Sequence, residues 1–350
     1  MSEVRVGALT PESPDAPAVA HYGDPAREQR TLATAAGLVD RSHRGVVAIP
    51  GADRLTWLHS ITTQYLTAPG VEGTELLVLS PHGHVEHHAL LADDGTTTWL
   101  DTEPGAAPAL LDFLTKMRFM MRVEPADVTD SWALLSLVGL PPDSPAPGGM
   151  APGGPTASVV ALGVPDLAAP EIDGVPPAKF ASADVPRRPT ARYPVAPLPD
   201  GGWVRRMPYG YDLLVPRDQV AGVAERLGVP WVGLWAFEAL RVEARRPRLG
   251  FETDHRTIPA EVGWVAGAVH LDKGCYRGQE TVARVHNLGR PPRRLVLLHL
   301  DGITSDELPA PGTEVTAADG RVVGFVGSAA RHHELGQVAL AVVKRSVPDG

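Results

Sequence analysis

Lys273-Gly274-Cys275-Tyr276-Arg277-Gly278-Gln279-Glu280 holds the only cysteine of this 350-residue chain. Lys273 and Arg277 put positive charge on either side of the sulfur, and nearby cations favour the thiolate, which is the nucleophilic form. Gly274 and Gly278 permit positive φ or close approach of the backbone to a ligand, while Gln279 and Glu280 add an amide and a carboxylate. Sulfur, cation, amide and carboxylate are gathered by local sequence alone, a set suited to thiol chemistry at Cys275 with Lys273 beside it. An isolated cysteine is also a common small buried hydrophobe, and Gly-x-x-x-Gly is common in turns, so the residues by themselves leave both readings open.

Two other groups have chemically suggestive spacing. On a strand of period two, His84, Glu86 and His88 share one face, and a His/Glu/His set can hold zinc or iron with open positions. They fall on an expected hairpin with one wet face, where solvated histidines are ordinary, so no metal site is expected. Arg241 and Glu243 lie on opposite sides of an expected helix, and the run Arg241, Glu243, Arg245, Arg246 reads as a solvated charged face.

The elements that must position these groups are read from turn chemistry and periodicity. Glu28 to Ala36 predicts a short helix stopped by Gly37, Arg44 to Ile49 a strand, and Asp53 the N-cap of a helix carrying Leu55, Leu58, His59 and Ile61. Glu75 to Leu79, His84 to Ala92 and Thr96 to Leu100 predict an antiparallel meander, turning at Ser80-Pro81-His82-Gly83 and at Asp93-Asp94-Gly95. A helix is expected from Ala107 to Lys116, with strands at Met120 to Val123, Trp132 to Val138, Ser158 to Leu162, Gly202 to Met207 and Tyr211 to Val215. Fifteen prolines lie between Pro141 and Pro199, and the stretch 141–157 is expected to be a flexible insertion. Trp235 to Arg245 predicts a helix ending before Pro247. After Pro291-Pro292, four short runs separated by Gly-containing turns predict a small all-β unit.

Composition bounds the rest. A length of 350 residues with 43% apolar content predicts two or three packed units that fold without staples. One cysteine excludes an internal disulfide framework and any Cys-only metal or cluster site within one chain. The first twenty residues lack an apolar h-region, and no later stretch approaches 18 apolar residues, so a cytoplasmic protein that does not span a membrane is expected. A net charge of -9 argues against broad nucleic-acid affinity.

The run K-G-C-Y-x-G-Q-E resembles the signature of the YgfZ-type family, folate-binding relatives of the glycine-cleavage T-protein, an aminomethyltransferase. Further segments are similar to the same superfamily: Ser42 to Gly45, Gly51 through Thr63, the L-R-x-E helix at Trp235 to Glu243, Gly250 to Asp254, Ile258 to Trp264 and Thr281 to Gly289. The resemblance implies an α+β fold, a cloverleaf of two interleaved antiparallel subdomains with a C-terminal β-barrel around a central folate site. The matching division is a flexible tail at 1–24, a folate-binding region at 25–290 and a barrel at 291–350. It implies tetrahydrofolate or a one-carbon derivative as cofactor, Cys275 and Lys273 as the reacting pair lining the folate channel, and Arg241, Glu243, Tyr276, Gln279, Glu280 and Arg284 as cofactor-binding residues. Asp212 joins them because Tyr209-Gly210-Tyr211-Asp212 stands near the T-protein's folate-clamping segment. The function implied is a folate-binding accessory protein that supports iron-sulfur cluster assembly or repair, and through it tRNA modification, with cluster enzymes or assembly proteins as partners. The T-protein places an acid just after the glycine turn, whereas this chain has His84-Val85-Glu86-His87-His88 there. The alternative is a folate-dependent aminomethyl or methyl transferase in which Glu86 or Asp212 supplies the acid-base group.

Overall fold

The computed structural model describes residues 7–67, 72–139, 155–168, 170–172, 191–302 and 306–348. Near the N-terminus Asp24 caps α1 (Pro25–Thr34), its carboxylate accepting from the backbone of Ala26 and Arg27, with Pro25 suited to the first turn. Gly37 does not stop this helix. It lies inside β1 (Ala36–Asp40), where a Cβ would meet Val232 at 2.5 Å.

One five-stranded antiparallel sheet contains β2 (Gly45–Pro50), β3 (Gly73–Leu79), β4 (Val85–Asp93), β5 (Thr97–Thr102) and the short β6 (Ala126–Asp127), in the order β3-β4-β5-β2-β6. Helices α2 (Arg54–Ile61) and α3 (Ala107–Lys116) cover one face over a core of Ile49, Trp57, Leu76, Leu91, Leu100 and Leu110. Burying each such leucine contributes about 1.5–3 kcal/mol. Asp53 precedes α2 as expected but makes no cap hydrogen bond, because its carboxylate accepts from the Arg122 backbone and guanidinium instead. Residues 120–123 are not a strand. Phe119 has φ 45° in a turn closed by Met121 N–H to the Arg118 carbonyl, and the chain joins the sheet only at β6.

A second five-stranded sheet takes β1 and four later strands, β7 (Trp132–Gly139), β10 (Val195–Pro197), β11 (Trp203–Met207) and β12 (Gly210–Pro216), in the order β1-β7-β12-β11-β10. Between β7 and β10 come helix α4 (Pro155–Val160) and a ribbon of β8 (Glu171–Ile172) with β9 (Ala191–Arg192). The expected strand at 158–162 is therefore helical in its first half: Val159 and Leu162 pack with Val223 and Leu227 of α5 (Val220–Leu227) against β7 and β12. An apolar pair three apart fits a helix turn as well as a strand, and the tertiary face decides. Most of the expected insertion, 141–154 of 141–157, lies outside the described residues, and α4 begins within its end. Because β1 precedes the first sheet and β7 follows it, the two sheets interleave in sequence. They pack face to face through Ala48, Ala92 and Trp99 against Leu134, Trp203 and Leu214.

Helix α6 (Leu234–Glu243) lies between the second sheet and a four-stranded antiparallel sheet formed by β13 (Arg293–His299), β14 (Glu314–Thr316), β15 (Val322–His332) and β16 (Gly336–Lys344), in the order β13-β16-β15-β14. Helix α7 (Gln279–Leu288) follows the cysteine loop. One apolar cluster joins Leu77 and Val85 of the first sheet, Ala239 and Val242 of α6, Trp264, and Leu340 and Val342 of the last sheet. Residues 7–22 belong to this packed body and not to a loose tail. Ala18 and Ala20 are buried, and the Val19 and Ala20 carbonyls accept from Leu234 and Trp235 at the start of α6. Among the described residues no helix is long and apolar enough to cross a membrane.

Candidate functional site

Where the two interleaved sheets, α6 and the C-terminal sheet meet, they enclose a cavity of about 790 Å³. Its chemistry starts on β3 and β4. The pairing Leu77↔His88 puts His88 on the same sheet face as Glu75, one diagonal step away. Glu75 accepts from His88 (Nε2 to Oε2, 3.2 Å), from Arg246 (Nη2 to Oε1, 3.0 Å) and from the Tyr193 hydroxyl. Burial alone would raise the Glu75 carboxyl. His88, the Arg246 charge and the Tyr193 hydroxyl outweigh it and hold the group down at about 2, so it is a carboxylate at neutral pH. The same burial, with the Glu75 charge beside it, pushes the Tyr193 phenol well up. The His88 ring stacks on Trp264 with centroids 4.6 Å apart and planes 16° off parallel.

A second set of charges lines the other wall. Arg248 forks onto Asp15 at 2.7 and 2.8 Å and onto Glu103 at 3.0 and 2.8 Å, and reaches Glu238 at 3.3 Å. Arg241 binds Glu238 through two nitrogens at 2.9 and 2.8 Å and also holds the Arg246 carbonyl, which fixes the turn that leads out of α6. Against the burial that would raise it, Glu103 is held down at about 2 by Arg248 and Arg44. His43 Nε2 faces Asp15 at 3.0 Å. Arg246 Nη1 and His43 Nδ1 are buried nitrogens of cavity-lining residues with no hydrogen-bond partner among the described residues. Eight arginines line the cavity against five carboxylates, a local cationic surplus in a chain of net charge -9.

Of the residues singled out by sequence, Arg241 lines this cavity. Cys275 is exposed and is not among the lining residues. Lys273 is buried, its ammonium pushed down to about 8 by burial, and it donates to the carbonyls of His59, Thr62 and Gln64, where α2 ends. Tyr276 is buried in the apolar cluster under β3 and β4, and Gln279 donates to the Lys273 carbonyl at 3.1 Å. Glu280 and Arg284 lie exposed on α7. Glu243 is half exposed and faces His332. Asp212 is fully buried behind the cavity wall with Arg41, Arg205, Ser136 and Tyr209.

Gly278, at φ 80°, is the glycine of the cysteine loop that a side chain could not replace: a Cβ there would meet the Ser80 carbonyl at 2.6 Å and Gly83 at 2.8 Å. Gly274 has open space around it. The loop is thus shaped to pack on the β3–β4 turn, and Arg277 completes that contact by pairing with Glu86 at 3.2 Å. His84, Glu86 and His88 do not share a face. The register slips between Val78 and Leu79, leaving Glu86 as the extra, exposed residue of a bulge and turning Val85 to the His88 side. Among the described residues no His/Cys/Asp/Glu group is arranged to hold a metal.

Glu75, Tyr193, Arg246, Arg248 and Trp264 were not flagged by sequence. A signal existed for two of them: Pro247 ends the helix, so the arginines beside it leave the solvated face and turn inward. Tyr193 follows a Pro-rich stretch with no periodicity, and nothing local marks it.

No family model matches the chain. It is 26% identical over 302 residues to a chloroplastic protein of Arabidopsis thaliana, an alignment covering 83% of this chain and 61% of that protein. With the aminomethyltransferase of Chromobacterium violaceum it shares 27% over 260 residues, 69% of this chain and 61% of that protein. The chain thus spans about 61% of the length of these two relatives. The aminomethyltransferase of Streptomyces coelicolor is 27% identical over 339 residues, 92% of this chain and 82% of that protein. Among solved structures, the glycine cleavage system aminomethyltransferase T from Bartonella henselae superimposes with a TM-score of 0.72 at 19% identity, covering 97% of this chain and 87% of that one. The chain is similar in sequence to aminomethyltransferases and has their fold.

Proposed function

We propose that the cavity binds a reduced folate and that the protein is a folate-dependent aminomethyl or methyl transferase of the T-protein type. The observation that carries this reading is the Glu75–His88–Tyr193–Arg246 cluster in the wall of a 790 Å³ cavity, within a fold shared with an aminomethyltransferase. The volume suits a folate-sized ligand, and the stacked pair His88–Trp264 offers a flat apolar wall. The donor set fits as well: the unpartnered Arg246 Nη1 calls for an acceptor, and the cationic surplus suits a ligand with an anionic tail.

A reduced folate, when bound, supplies a nucleophilic ring nitrogen able to carry a one-carbon unit. The chain supplies proton handling. With Nε2 tied to the Glu75 carboxylate, His88 has Nδ1 left to accept or give a proton, and Glu75 stabilises the imidazolium that results. Tyr193 and Arg246 hold Glu75 in place from two other elements, and Trp264 keeps water from one side of the ring. The carboxylate missing after the glycine turn is then replaced from the neighbouring strand.

Isothermal titration with (6S)-tetrahydrofolate tests the shared premise. Saturable binding is expected, weakened about tenfold or more by Glu75→Gln, which removes a charge from a buried network. Absence of binding by the native protein sinks the reading. Ammonia release from an aminomethylated donor, dependent on both Glu75 and His88, is the expected sign of transfer.

One observation favours a second reading, a folate-binding accessory protein for iron-sulfur cluster assembly or repair. The Cys275 thiol is exposed beside Arg277 and so is available to a partner protein. A single thiolate cannot hold a cluster alone, so partner ligands or a second chain would complete the set. Full restoration of cluster-enzyme activity by Cys275→Ala, in cells lacking the protein, rules this reading out.

A further inference from the structure

We propose that the turn after α3 is a self-association surface through which two copies of this chain pair about a two-fold axis. Among the described residues the most exposed large apolar side chains are neighbours here, Met120 at 97% and Phe119 at 82%. Single exposed apolar residues are ordinary on a protein surface, but an adjacent pair at the tip of a fixed turn is a patch. Both feet of the turn are held. The Trp57 indole donates to the Met117 carbonyl at 2.9 Å, and Asp53 accepts from the Arg122 backbone at 2.9 Å and from its guanidinium at 3.0 and 2.6 Å. For this Asp53 forgoes capping α2, and Phe119 sits at a left-handed φ of 45°, strained for a residue with a Cβ. A missing cap, a strained backbone and two apolar side chains in water are not offset by packing within one chain. Contact with a second surface, for which the turn is already shaped, offsets them.

The charges around the tip select a second copy as the occupant. Lys116 is paired with Asp112, and Arg122 with Asp53. That leaves Arg118 on one side of the tip and Glu124 on the other, both exposed and neither with an oppositely charged partner among the described residues. Opposite charges flanking an apolar centre are self-complementary. Across a two-fold axis through the tip, Arg118 of one copy meets Glu124 of the other and the reverse, while Phe119 and Met120 pack on their counterparts. Met117 and Met121, partly buried at the base of the turn, give the incoming ring an adaptable apolar floor. An anionic bilayer fits less well. Lys116, Arg118 and Arg122 are balanced by Asp112, Asp53 and Glu124, the chain carries a net charge of -9, and a fluid bilayer does not require a fixed backbone.

Sedimentation equilibrium of the full chain between about 1 and about 300 µM decides the matter. A reversible dimer is expected, with a Kd on the order of 10–100 µM for a surface this small. Phe119→Gly removes the ring and relaxes the backbone. It is expected to melt as the native protein does and to weaken the dimer about tenfold or more, which separates loss of contact from loss of fold. Reversing one charge, by Arg118→Glu or Glu124→Arg, sets like charges face to face across the axis and is expected to weaken the dimer about threefold to tenfold. Both reversals in one chain are expected to restore the native affinity. A native chain that stays monomeric at about 300 µM, or a dimer indifferent to Phe119→Gly, overturns the proposal. So does a double reversal that binds no tighter than either single one, because Arg118 and Glu124 then do not meet in the dimer. A chain that stays monomeric and instead sediments with phosphatidylglycerol vesicles, an association lost in Phe119→Gly, would assign the turn to a bilayer and likewise overturn it.

Discussion

Glu75 is one of seven consecutive buried residues of β3, and a stretch reading GTELLVL gives no hint that its carboxylate faces a cavity. Only the diagonal pairing across to β4, with Tyr193 arriving from the far side of a Pro-rich stretch, turns it into a functional group. Lys273 shows the converse. Its place beside the only cysteine suggested chemistry, yet its ammonium is bonded to three backbone carbonyls where α2 ends: His59 in the last turn, whose carbonyl the helix leaves unsatisfied, the C-cap Thr62, and Gln64 just beyond. Lys273→Met keeps the length of the side chain and strips the carbonyls of their donor. It is expected to cost about 2–4 kcal/mol of stability. Denaturant titration measures this, and a loss below about 1 kcal/mol would show that water replaces the ammonium without penalty.

At the scale of elements, the meander, the three helices α2, α3 and α6, and the four terminal strands were legible, because turn residues and apolar periodicity agree there. What escaped was decided by tertiary contact. The bulge at Glu86 adds one residue to β4, and a strict period of two cannot anticipate it. Helix α7 was invisible behind the signature that precedes it, having only Val282 buried. The N-terminal segment looked like a tail because its prolines and charges suit one, but Asp15 is the partner of Arg248 and His43 at the cavity wall. Asp15→Asn therefore tests whether this segment is structural. Removing one charge of a buried, doubly hydrogen-bonded pair is expected to cost about 3–5 kcal/mol. The segment is also expected to become susceptible to limited proteolysis around residues 8–22. A variant as stable and as protease-resistant as the native chain would mean that the backbone contacts of Val19 and Ala20 with α6 suffice without it.

For the whole molecule, the joint between its units is polar as well as apolar. Glu75 on β3 meets Arg246 beyond α6, and Glu103 meets Arg44 and Arg248, so the interleaved sheets and the segment after α6 are tied by carboxylates that must stay ionised. Both are held at about 2 in the folded chain, against about 4.3 when unfolded. A folded-state value below the unfolded one stabilises the protein above the unfolded value, and that stability is lost as pH falls from about 4.3 towards about 2. At 1.36 kcal/mol per unit, each group is worth about 3 kcal/mol at neutral pH. The stability of the native protein is therefore expected to hold between about pH 5 and 7 and to fall steeply below about pH 4. Glu103→Gln is expected to be several kcal/mol less stable than the native chain at pH 7, because Arg44 and Arg248 lose a buried counter-charge. The gap is expected to narrow as pH falls from about 4.3 towards about 2, because there Glu103 of the unfolded chain takes up a proton while the folded chain still holds its charge. Denaturant midpoints of both proteins across that range check this directly. A gap of constant size from pH 7 down to about 2.5 would show that the Glu103 charge contributes nothing to the joint, and that the units are held by their apolar contacts alone.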